Sequence, residues 1–170
     1  MRTRWISLLA LATVLGGCGG LGRESLIGRW SQTTSADGKD PTRAVVSESV
    51  TMELAKDGTI TVFDRSVLDT DHLTAPGCTL ERVYHGTFAA PPRGNTLELR
   101  FHSGKLTLSA CPDASMNGTF EMDQADIDAM NLANARGDRA EPDRTFNVQG
   151  DTLFLTAGKT TRGWVRVLVP

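Results

Sequence analysis

Beyond Leu26, apolar and polar residues alternate with a period of two, and glycine-rich turns interrupt the alternation; this is the pattern of antiparallel strands. Val50, Met52 and Leu54 lead into Lys56-Asp57-Gly58, and Ile60 and Val62 lead away from it. A three-residue loop ending in glycine fits a type I turn plus a left-handed residue, which sets Leu54 opposite Ile60 and Met52 opposite Val62. Around Pro91-Pro92-Arg93-Gly94, pairing Ala90 with Asn95 sets Phe88 opposite Leu97 and Tyr84 opposite Phe101. A two-residue turn at Ser103-Gly104 then sets Phe101 opposite Leu106 and Leu99 opposite Leu108. A slip of one residue in either hairpin turns its apolar set toward water, so the pattern restricts the register. A further turn at Gly150-Asp151 faces Val148 with Leu153 and Phe146 with Leu155, and a strand from Gly163 to Val169 closes the chain. The polar stretches from Ser31 to Glu48 and from Ser66 to Gly77 read as long loops.

One segment breaks the alternation. Asp123 to Arg136 has an aspartate at its start, acids in its first turn and Gly137 after its end, with Ile127, Met130 and Ala133 on one face. It is predicted to be a single helix with a thin apolar face, lying across a barrel end or beside it. About eight or nine strands in hairpin order with one short helix predict a mainly β fold, an antiparallel up-and-down barrel of about eight strands.

The first residues follow another rule. Arg2 and Arg4 precede an apolar stretch from Trp5 to Leu15, which is too short to span a bilayer, since spanning takes about 20 residues. Leu15-Gly16-Gly17-Cys18 follows, so a charged start and an apolar run end in small residues, as in a secretory signal. With the cysteine in that place the segment resembles a bacterial lipoprotein signal. The resemblance implies that Cys18 is diacylated, that cleavage leaves it as the new N-terminus, and that acyl chains such as palmitate anchor the protein to a membrane. Gly19, where inner-membrane lipoproteins carry Asp, implies a place in the cell envelope at the outer membrane, facing periplasm or exterior. The expected organisation is therefore a signal peptide over 1–17, a lipidated tether over 18–25 and a barrel domain over 26–170.

Composition narrows the partners. The chain has 18 Lys and Arg against 20 Asp and Glu, and loss of Arg2 and Arg4 on cleavage makes it more acidic still. Without a basic stripe it is a poor match for nucleic acid or anionic lipid. With Cys18 acylated, Cys78 and Cys111 form an even pair in an oxidising compartment, which predicts a disulfide. The hairpin register above opposes that bond. It puts Cys111 near Ala89, roughly 35 Å along a straight strand from Cys78, so the bond requires a break at Gly86 or in the Pro76-Gly77 loop.

Leu26-Ile27-Gly28-Arg29-Trp30 resembles the Gly-x-Trp strand that opens lipocalins and other calycins. The resemblance implies that Trp30 plugs one barrel end and that an arginine of the last strand packs across it. Arg166, in Trp164-Val165-Arg166, is favoured for that part over Arg162. Over nearly all of the segment after Cys18 the chain is similar to small bacterial lipocalin-like lipoproteins.

No catalytic signature is present: there is no Gly-x-Ser-x-Gly, phosphate loop, His-Glu-x-x-His or Cys-x-x-Cys. His85 and His102 fall as diagonal neighbours on the face opposite Phe88 and Leu99, and neither they nor His72 find a third ligand at usable spacing. Asp64, Asp69 and Asp71 lack the glycine of a calcium loop, and Asp126 and Asp128 read as helix-start charges. The expectation is a non-enzyme without metal or cofactor. Two roles compete. In the first, the barrel holds a small hydrophobic or amphipathic molecule against Tyr84, Phe88, Leu97, Leu99, Phe101, Leu106 and Leu108. In the second, the same residues form a closed core, and the protein engages an envelope protein partner or acts in the manner of protease-inhibitor calycins.

Overall fold

The computed structural model describes residues 22–35, 45–68, 77–135, 144–157 and 159–168. After a single helical turn, α1 (Arg23–Leu26), come β1 (Gly28–Ser35), β2 (Val45–Leu54), β3 (Thr59–Leu68), β4 (Thr79–Ala89) and β5 (Thr96–Ser109). A 3-10 turn at Ala114–Met116 leads to β6 (Gly118–Glu121), α2 (Gln124–Ala135), β7 (Arg144–Gln149), β8 (Thr152–Ala157) and β9 (Thr160–Arg166). Neighbouring strands pair antiparallel in the order β4-β3-β2-β1-β9-β8-β7-β5, and β4 also pairs with β5, which closes an eight-stranded barrel. The ninth strand, β6, lies outside that ring on the far edge of β5.

Short turns set the pairing where the pattern predicts it. Leu54 faces Ile60 and Met52 faces Val62 in one hairpin. Val148 faces Leu153 and Phe146 faces Leu155 in another. The segments from Ser31 to Ser35, Val45 to Glu48 and Ser66 to Leu68 are strand rather than loop, because each continues an existing ladder. Thr160 rather than Gly163 opens the last strand, paired with Ala157. Asp69, Asp71 and His72 lie outside the described residues.

The β4–β5 hairpin differs from the expected register. Phe88 faces Leu99, not Leu97, and Ala89 faces Glu98, because the connection takes six residues from Ala90 to Asn95. That shift of two keeps the same face inward. Ser103-Gly104 is no turn: β5 runs unbroken through it, with an irregularity against His85-Gly86 that sets Tyr84 opposite Gly104 rather than Phe101. The pairings Phe101–Leu106 and Leu99–Leu108 therefore do not exist. Both glycines serve close packing. A Cβ on Gly86 would collide with the Arg100 carbonyl, and one on Gly104 would meet the Met122 sulfur and the Tyr84 ring. Glycine inside a strand marks such an approach as readily as it marks a turn.

The unbroken β5 also resolves the cysteine problem. Thr79 faces Ser109, so the residues just beyond each strand end, Cys78 and Cys111, sit side by side and form a disulfide across 33 positions of sequence. No break in β4 is needed.

Two apolar clusters make up the core. The larger holds Trp30, Leu54, Ile60, Leu97, Phe146 and Leu153, all nearly inaccessible to solvent, together with Phe88 and Phe101. The smaller joins Leu68, Cys78, Leu80 and Cys111, with Leu106, Leu108 and Met116 packed against them.

Candidate functional site

The end of the barrel where the described chain begins is sealed. The Trp30 indole N–H donates to the Leu26 carbonyl at 2.8 Å, and the side chain is fully buried. Arg166, directly opposite Trp30 in the sheet, stacks its guanidinium 4.1 Å from the indole centroid. Its Nη1 donates to the Ile27 carbonyl at 3.0 Å and its Nη2 to the Ser25 carbonyl at 3.3 Å, so one cation ties β9, Trp30 and α1 together. Planar delocalised charge suits Arg to that double task. Arg162 lies farther along the strand and is exposed. Residues 22–25, the described part of the expected tether, are docked here: Arg23 N–H donates to the Pro91 carbonyl, and its guanidinium reaches the Lys56 carbonyl and the Phe88 ring.

The half nearer the disulfide is built differently. On the inner face of β3 and β4, Asp64 stands directly opposite Arg82, whose Nη1 donates to Asp64 Oδ2 at 2.8 Å. Ser66, buried, donates its hydroxyl to the other carboxylate oxygen at 3.1 Å. A polar layer thus separates the two apolar clusters.

Beside this layer opens a cleft of about 320 Å³. Leu80, Arg82 and Tyr84 line it from β4 and Leu106 from β5; Met122, Asp126 and Met130 close it from α2 and the residues before it. The β-strand alternation places Leu80, Arg82 and Tyr84 on one face, and Leu106 faces Arg82 across the ladder. Phe120 faces Leu106 from β6 and is half exposed, so an aromatic ring stands on the cleft's side of the sheet. The helix is positioned by its start and by its middle. Asp123 caps it, accepting from the Asp126 N–H at 2.9 Å, while Ile127 is buried in the main core. Burial pushes the Tyr84 phenol above its ordinary pKa; Arg82 opposes that rise, and Asp64 and Asp126 add to it. A second hollow, of about 300 Å³, lies at the β4–β5 connection, bordered by Ala89, Ala90, Pro91, Thr96 and Glu98.

The residues expected to line a ligand therefore divide. Phe88, Leu97 and Phe101 are packed into the main core, with Tyr84 and Leu99 partly buried against it. Leu108 joins the disulfide cluster. Only Tyr84 and Leu106 of the seven also border the cleft. Leu80 and Arg82 follow from continuing the alternation back from Tyr84; Asp126, Met122 and Met130 depend on where α2 docks, for which the sequence has no local signal.

His85 and His102 are exposed and bonded to threonines, His85 Nδ1 with Thr61 Oγ1 at 3.2 Å and His102 Nε2 with Thr87 Oγ1 at 3.3 Å. Among the described residues no group of three or more His, Cys, Asp or Glu is placed to hold a metal ion. Asp128 accepts from the Gln124 side chain within the helix.

Fold and site together define a small closed antiparallel barrel with a plugged end and a cleft between the inner face of β4–β5 and α2. No protein-family model matches the chain, and no curated protein matches it.

Proposed function

We propose that this chain is a lipocalin-like, lipid-anchored protein of the cell envelope that binds one small amphipathic molecule in the cleft between α2 and the β4–β5 wall. The observation that carries the reading is the cleft itself: about 320 Å³, with leucine and methionine walls and a few convergent polar groups. Ligand pockets have that composition, and their volumes begin at about 300 Å³. Leu97 and Phe146, by contrast, are almost wholly buried in the main core.

The anchor fits this reading. Cys18 precedes Gly22 by four residues, and Gly22 rests against Pro92 at the plugged end. Extended chain spans at most about 3.6 Å per residue, so acyl chains on Cys18 hold the Trp30 end near the membrane and turn the cleft-bearing half away from it.

Titration with the neutral fluorescent probe N-phenyl-naphthylamine tests the proposal. Saturable one-to-one binding that Leu106→Trp abolishes, by filling the cleft, is the expected result. Absence of saturable binding overturns it and favours the second reading, a closed-core protein that engages an envelope protein. Phe63 and Val165, 43% and 58% exposed on the barrel surface, support that alternative.

A further inference from the structure

We infer that the cleft selects a cationic amphiphile, an alkyl amine or quaternary ammonium, over anionic or neutral molecules with the same tail. The inference rests on the cleft being the binding site.

The charge inventory points that way. Arg82 is the only cation among the described lining residues, and it is spent on Asp64, which Ser66 holds in place. That pair is neutral as a unit. What remains is Asp126, which makes no ion pair among the described residues. The N-terminus of α2 would by itself favour an anion. Here Asp123 already occupies it, accepting the Asp126 N–H, so the helix start brings a capping carboxylate rather than a vacant donor set.

The aromatic groups agree. Tyr84 lines the cleft, its ring 5.7 Å from that of Phe101, and its hydroxyl has no hydrogen-bond partner among the described residues. An aromatic face attracts a cation, quaternary or protonated, and a phenol oxygen accepts in addition from the N–H of a protonated amine. Phe120 adds a half-exposed ring on the same side of the sheet. Leu80, Leu106, Met122 and Met130 leave an apolar surface for the tail.

The experiment compares octyltrimethylammonium, octyl glucoside and octyl sulfate by calorimetry on the full chain as the Cys18→Ser variant, below micelle-forming concentrations. The expected order is ammonium over glucoside by about five- to tenfold, as an exposed carboxylate and an aromatic face together supply, with sulfate weakest. Asp126→Asn should bring ammonium and glucoside within about twofold of each other, chiefly by weakening the ammonium. Glucoside binding as tightly as ammonium overturns the charge preference and leaves the cleft as a site. Sulfate binding tightest also overturns it, showing that Arg82 remains free for an anion. Failure of all three to bind overturns the cleft as a site altogether.

Discussion

The side-chain amide of Asn131 pairs with the backbone of Phe101 as a neighbouring strand would, accepting from its N–H at 2.8 Å and donating to its carbonyl at 2.9 Å. On that edge β5 meets β7 only at Thr96 and Leu97 and meets β6 from Lys105 to Leu108. Between those stretches the edge falls to α2, and one amide satisfies both backbone groups of a buried residue. Asn131→Ala removes donor and acceptor together. Leaving a buried polar group unmatched costs about 1–3 kcal/mol, so the loss should fall in or above that range. A lowered urea midpoint at unchanged slope checks it, and Asn131→Asp, which keeps the acceptor but loses the amide donor, should recover only part.

Trp30 and Arg166 make the plugged end. Trp30→Ala should cost about 3–5 kcal/mol, as truncation of a fully buried aromatic residue does. Trp30→Phe keeps most of the packing but takes the donor from the Leu26 carbonyl, and about 1 kcal/mol of the loss should trace to that bond. Thermal unfolding of both variants measures the difference. An unchanged melting temperature for Trp30→Ala would remove the plug from the account.

The Cys78–Cys111 bond closes 33 positions of chain, and its reduction should lower stability by about 3–4 kcal/mol through loop-closure entropy. Leu80 and Leu106 border the cleft and also pack in the cysteine cluster, so reduction should weaken probe binding as well. Intact mass after alkylation without reductant should show neither Cys78 nor Cys111 modified.

Two of the hairpins were readable from sequence because a glycine at a short turn leaves one register that keeps both apolar faces inward. Leu54–Ile60 and Val148–Leu153 are of that kind. The β4–β5 pair was not, because Ser103-Gly104 has the composition of a turn, whereas Gly104 is there to admit Met122 and Tyr84. The even pair Cys78 and Cys111 points to a disulfide where an oxidising compartment is expected, whereas a turn at Ser103-Gly104 would oppose it; the unbroken strand removes the conflict. Arg166 over Trp30 followed from a resemblance and appears in the geometry. The cleft was out of reach. Its far wall is α2, and the docking of Ile127 in the main core and of Asn131 against Phe101, 30 positions earlier, sets Asp126 on the same cleft as Arg82.

Acylation at Cys18 is open to a direct test. Cys18→Ser should abolish incorporation of radiolabelled palmitate and leave an unprocessed or misplaced precursor, because the thiol is the acyl acceptor in the signal that 15–18 resembles. Label retained by the serine variant would exclude the anchor.

Tyr84 is the chain's single tyrosine, so the ultraviolet absorbance of tyrosinate reports this phenol alone. Burial raises its pKa, with Asp64 and Asp126 adding to the rise and Arg82 opposing it. The neutral form is therefore favoured in the fold, and the unfolded chain gives up the proton first. The stability this contributes is fully present below about pH 10, the unfolded value, and is lost as pH rises through the folded one. The folded protein should titrate at higher pH than the chain in denaturant, and Tyr84→Phe should remove that part of the alkaline loss. Occupancy of the cleft by a neutral apolar probe excludes more water from the phenol and should move the midpoint further upward. A midpoint that saturating N-phenyl-naphthylamine leaves in place would mean that the probe binds elsewhere, and the cleft beside Arg82 and Asp126 would lose its claim as the binding site.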